Sequence, residues 1–171
     1  MKNEFLLQQT QDSYNWLNKI IKDIPLNQWD ETPKNIETNI TWQIGHLIMS
    51  FNFHTIIVIK GQPMHLYQNF PVKLYSELFT NSPAKDCIGK TIPKELQQHL
   101  ELVQNYSLET IKNLPEEELV NPLEPFVVKH PIAKTKQEAI DWNIKHTMWH
   151  CGQIGLLKRA LGNQHNFGLN L

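Results

Sequence analysis

Four segments of this 171-residue chain repeat their apolar side chains with the 3.6-residue period of an α-helix, and each is closed by Pro or Gly. The first runs from about Asn3 to Asp23, with a stripe of Leu6, Tyr14, Leu17, Ile20, Ile21 and Ile24, and stops at Pro25. The second begins near Thr38–Thr41 and ends before Gly61 and Pro63. Ile40, Ile44, Leu47, Ile48, Phe51, Thr55 and Val58 form one face. A second face carries Trp42, Gln43, His46, Met49 and Phe53, so this helix is apolar over a wide arc and needs neighbours on two sides. Its β-branched end, Ile56–Ile59, is compatible with a strand, but the longer pattern favours helix.

The third segment starts at Thr91–Pro93, where Pro is tolerated in a first turn, and shows Leu96, Leu100, Val103, Tyr106, Ile111 and Leu114 before Pro115. The fourth opens with Thr135-Lys-Gln-Glu138, a capping box in which the Thr and Glu side chains satisfy early amides reciprocally. It runs to Leu161, with Lys158 and Arg159 against the negative end of the helix dipole and Gly162 as the stop. These segments predict an all-α fold of four helices packed as a bundle with two long connections, as one domain over 1–171. The connections are Gln62–Lys90, where Tyr75–Phe79 can add a short helix, and the Pro-rich Glu116–Lys134, where Phe126–Val128 can pair briefly as a strand. Connections of this length tend to be functional.

Charge narrows the partners. With 16 Lys+Arg against 17 Asp+Glu there is no basic excess to release phosphate counterions, so no nucleic-acid partner is expected, and an anionic membrane surface loses support for the same reason. The most apolar stretch, Leu47–Ile59, is broken by Ser50, Asn52, His54 and Thr55 and reads as too short and too polar for a bilayer span. Two cysteines, Cys87 and Cys151, imply no disulfide framework, and the N-terminus lacks a signal-type apolar run. A cytoplasmic protein is therefore expected.

His146 and His150 stand four residues apart on the fourth helix, so both imidazoles project from one face and can share an ion. Eight histidines in the chain make a chance pair at this spacing common, so context decides. The pair sits among Trp142, Met148, Trp149, Ile154 and Leu157, where buried imidazoles need partners for their nitrogens. Thr147 excludes the HExxH arrangement of metalloproteases. His46, on the second helix, would complete three ligands and leave a fourth position open, the count of a catalytic divalent-metal site. Gly45 beside it costs about 1 kcal/mol relative to Ala within a helix, a cost that close approach of another helix would explain. Three nitrogens suit Zn, Ni or Fe. Gln153 and Asn143 share the face of the pair and are candidates to orient a ligand or a bound water, or else to bond between helices. Trp42, Trp142 and Trp149 either wall a pocket or are plain core. His54 lies two turns after His46 and could face the same side, but an ordinary, partly exposed residue is the favoured reading. His65, His99, His130 and His165 show no paired spacing.

Trp42-Gln-Ile-Gly-His46-Leu, together with His146-Thr-Met-Trp-His150-Cys-Gly-Gln153-Ile and the Leu161–Gly162 stop, resembles the DinB/YfiT-like superfamily, in element order over nearly the whole chain. The resemblance implies a four-helix bundle with a long crossover, a metal site formed by His46, His146 and His150, and frequent dimerisation, so a homodimer is expected. Cys151 falls at a variable position, about 100° of helix rotation from His150, and reads as a small buried hydrophobe. Better-understood members of the superfamily resemble thiol S-transferases, which join a low-molecular-weight thiol to an electrophile, and others are described as hydrolases. The expectation is a metal-dependent transferase acting on small molecules. Metal-assisted hydrolysis comes second, because neither motif offers a carboxylate base. A non-catalytic bundle that binds metal or a small ligand is the remaining alternative.

Overall fold

The computed structural model describes residues 2–164. Among these, five helices pack as a bundle, with no strand. Helix α1 spans Lys2–Ile21 and buries Leu6, Tyr14, Leu17, Ile20 and Ile21, the stripe expected from periodicity. Helix α2 spans Ile40–Phe51. Asn39 is its N-cap, the side chain accepting from the Trp42 amide at 2.8 Å, which satisfies one of the first turn's free donors. The helix continues without a break through a π-helical segment, Asn52–Ile57, into a last α turn, Val58–Lys60. The β-branched end is therefore helical. Gly61, at φ 85°, ends it in a conformation that favours glycine.

This combined 21-residue helix, Ile40–Lys60, is longer than the apolar stretch at its centre. By length and composition it could cross a bilayer, yet 78 % of its most apolar window is buried inside the bundle. Its width of apolar surface is used on neighbours.

Helix α3, Val72–Phe79, lies within the first long connection and begins earlier than the expected 75–79. Helix α4, Pro93–Lys112, starts with proline in its first turn. Helix α5, Lys136–Ala160, opens with the complete Thr135/Glu138 capping box. Helix α1 packs on α4 and α5, and α2 packs on α3, α4 and α5. A polar network crosses this core: Tyr14 Oη lies 2.8 Å from Ser107 Oγ, Thr55 Oγ1 donates to Ser107 at 2.6 Å, and Asn143 Nδ2 donates to Tyr14 at 3.1 Å.

The segment Phe126–Val128 forms no strand. Pro122, Pro125 and Pro131 remove ladder donors around it, and Val127 is 91 % exposed. The described β pairing here is a single bridge between Pro122 and Thr135. The loop is fixed to the bundle by other means. Glu124 N–H donates to the Val58 carbonyl at 2.9 Å, and the buried Lys136 ammonium meets Glu118 and Glu124 at 2.9 and 3.0 Å.

Candidate metal centre

Helices α2 and α5 run side by side, and the three expected histidines meet in the seam. One ring nitrogen from each of His46, His146 and His150 falls in a group whose members all lie within 4.8 Å of one another. His150 is buried, and His46 and His146 are half-buried. The Nε2 atoms of His146 and His150 are 3.1 Å apart, and the His46 ring centroid is 5.4 and 4.9 Å from those of His146 and His150.

Hydrogen bonds behind the rings fix which nitrogen faces the group. Gln43 Nε2 donates to Thr38 Oγ1 and to Gln153 Oε1, both at 3.1 Å. Its Oε1 is thereby left to accept from His150 Nδ1–H at 2.6 Å. His46 Nδ1–H donates to the Phe79 carbonyl at 2.9 Å, from the last residue of α3. Both rings therefore carry their proton on Nδ1 and present an Nε2 lone pair to the cluster. His146 Nδ1 is buried without a hydrogen-bond partner among the described residues.

Burial depresses the pKa of all three imidazoles, and neighbouring rings depress His146 and His150 further. His146 falls to about 4 and His150 to about 3, while His46 is lowered by burial against the opposing bond from Phe79. The rings are thus neutral at pH 7, the state that ligates. With His150 Nε2 as a lone pair, the 3.1 Å contact makes His146 Nε2 the donor, and loss of that proton's place to a cation would bring three nitrogens onto one ion; this donor set fits a divalent ion, and the cluster contains no carboxylate.

Trp42 stacks on His46, with centroids 4.8 Å apart and planes at 6°, and its indole donates to the Ser82 carbonyl. Trp142 lies 6.0 Å from His146. Trp149, 63 % exposed, stands edge-on to His146. Two of the three tryptophans thus flank the rings closely, while Trp149 opens to solvent. Gly45 has the close neighbour its cost implied: a Cβ there would collide with the Phe79 ring, so α3 is the approaching helix.

Gln153 reaches His150 only through Gln43. Asn143 is placed elsewhere, donating to Tyr14 in the core network. Cys151 is 4 % exposed, and burial pushes its thiol up to about 12.

Two residues passed over in the sequence adjoin the site. Gln43 holds the His150 tautomer. His54 is buried, its ring 5.6 Å from that of His146, and its Nδ1 lies 2.8 Å from His130 Nε2. Burial first, then the nearby His130, His146 and His46, hold its pKa well below the ordinary value. Of the remaining histidines, His99 bonds Tyr75 and His65 rests on Tyr106, while His165 lies outside the described residues.

A family model described as DinB superfamily matches residues 9–154. No curated protein matches the chain.

Proposed function

The chain belongs to the DinB superfamily, and on that basis we propose that it is a divalent-metal-dependent enzyme with His46, His146 and His150 as ligands, acting as a thiol S-transferase. The observation that carries this reading is the orientation of the rings. Gln43 and the Phe79 carbonyl hold two Nδ1 protons outward, so that Nε2 lone pairs converge with His146 beside them. Three neutral ligands leave the ion's double charge uncompensated and a coordination position available. A zinc, nickel or iron ion held there would lower the pKa of a coordinating thiol or water near neutral pH.

The chain's own thiols argue that the sulfur nucleophile comes from a substrate. Cys87 and Cys151 are both buried, and desolvation raises them to about 11 and about 12. Neither forms a thiolate at neutral pH. A low-molecular-weight thiol would enter from the half-exposed side of the cluster, and Trp42 and Trp142 offer apolar walls for the electrophile. No Asp or Glu belongs to the cluster, which favours activation of an acidic thiol over hydrolysis needing a separate base.

The test is metal analysis of the purified protein, followed by conjugation assays with small thiols and model electrophiles before and after chelation. Metal-dependent conjugation, lost in His146→Ala, is expected. A protein that binds metal tightly but shows neither thiol conjugation nor hydrolysis across a broad panel would instead favour the binding-protein reading.

A further inference from the structure

A second pair of imidazoles stands against the triad, and its hydrogen-bond directions can be read without ambiguity. The backbone N–H groups of Ala133 and Ile132 both point at His130 Nδ1, at 2.8 and 3.2 Å. Two donors on one nitrogen make it an acceptor, so His130 carries its proton on Nε2. That Nε2–H donates to His54 Nδ1 at 2.8 Å. His54 must then carry its own proton on Nε2. The chain of bonds thus runs in one direction, from loop backbone through His130 to His54.

This excludes His54 as a fourth ligand. Its Nδ1 lone pair is occupied and its Nε2 is protonated, so neither nitrogen can face a cation. What His54 offers is a single N–H donor. That donor has no acceptor among the described residues, although the side chain is 7 % exposed and edge-on to His146. The surrounding structure holds the ring in this place. The π-helical segment Asn52–Ile57 carries His54 toward the seam, and the His130 ring stacks on Phe53 with centroids 5.5 Å apart and planes at 10°. π-Helical segments inside α-helices often mark functional positions.

We propose that His54 donates a hydrogen bond to the exogenous ligand that completes the coordination of the ion held by His46, His146 and His150, and that His130 is a positioning residue that fixes His54 in its donor tautomer. The occupant is accordingly a small ligand with an acceptor atom next to the metal: a thiolate, or an anion that imitates one. This inference rests on the triad being a metal site, and the experiment separates the two.

The full chain is loaded with Co2+, and azide is titrated by the visible absorbance of the cobalt. His54→Leu should keep cobalt affinity within about twofold and weaken azide about tenfold, the scale of one charge-assisted hydrogen bond. His54→Gln should recover most of the loss, because its amide can accept from His130 and donate onward. His130→Leu should weaken azide about threefold, since His54 is then free to change tautomer. Failure of the wild type to take up cobalt overturns the metal reading itself. Cobalt uptake with equal azide affinity in the wild type, His54→Leu and His130→Leu overturns this inference alone. Loss of cobalt in His54→Leu would make His54 a ligand and overturns it as well. Should His54→Leu fail to fold, the tautomer decides: in the zinc-loaded wild type, long-range 1H–15N spectra must show His54 protonated on Nε2, and an Nδ1–H pattern refutes the proposal.

Discussion

Gln43 Oε1 and His150 Nδ1 lie 2.6 Å apart across the α2–α5 seam, and this contact joins the two helices at the three-histidine cluster. The Gln43 amide cannot turn over, because its nitrogen is engaged by Thr38 and Gln153. The His150 tautomer is therefore set from the neighbouring helix. Gln43→Leu removes that acceptor at nearly the same volume. Metal affinity should fall about 10- to 100-fold, the usual cost of losing a bond behind a ligating imidazole, with helical circular dichroism retained. A competition titration with a chromophoric chelator measures it, and unchanged affinity would show that the amide does not support the ligand.

Removing a ligand should act differently. His146→Ala and His46→Ala should each abolish tight binding of zinc or nickel while leaving the helical spectrum mostly intact, because both rings are half-buried and lie at the seam rather than in the main apolar cluster. The wild type should gain about 2.7 kcal/mol of stability at a free-metal concentration one hundred times Kd, and neither variant should gain any. Thermal melts with and without metal distinguish the cases. A His46→Ala protein that still takes up metal normally would remove His46 from the ligand set.

The helices and the triad were legible because period, caps and spacing are local signals. Thr135 and Glu138 announce α5, and His146 and His150 share a face by helical geometry alone. What surrounds the triad was not legible, for identifiable reasons. The acceptor for His46 is a backbone carbonyl, at Phe79, and carbonyls have no residue code. His54 read as partly exposed because its spacing offers no local partner, whereas His130, 76 residues further on in a proline-rich loop, comes back to cover it. Asn143 shares the triad's face by sequence spacing, yet Tyr14 supplies a nearer partner in the core. Val127 and Val128 have strand-like side chains, but the flanking prolines deny them a ladder.

Acid should destabilise the metal-free protein in a defined window. His150 is held neutral by burial, its pKa near 3 against 6.5 when exposed, and His146 moves the same way to about 4. The unfolded chain therefore binds protons that the folded chain refuses as pH falls below 6.5. Stability is full above that value and declines toward pH 4, by at most about 1.4 kcal/mol per pH unit for each such group. The urea midpoint should thus be lower at pH 5 than at pH 7.5. His150→Gln should reduce the difference without abolishing it, since His146 and His54 remain depressed, and an equally steep decline in that variant would assign the effect to other groups.

Gly45 is the position where backbone packing and the placement of His46 coincide. Its missing Cβ leaves room for the ring of Phe79, which is fully buried and has no path to solvent. The same residue's carbonyl accepts from His46 Nδ1. Gly45→Ala has better intrinsic helix propensity by about 1 kcal/mol, so an isolated helix would be strengthened. Here the added methyl must displace Phe79 and with it the end of α3, an overpacking cost of about 1–3 kcal/mol. The net effect should be a modest loss of stability accompanied by a larger loss of metal affinity, since the His46 ring loses its anchor. Urea denaturation and a zinc competition titration on the same preparation separate the two quantities. A variant that is more stable than the wild type and binds zinc equally well would mean that α3 can withdraw freely, and that Phe79 does not hold His46 in place.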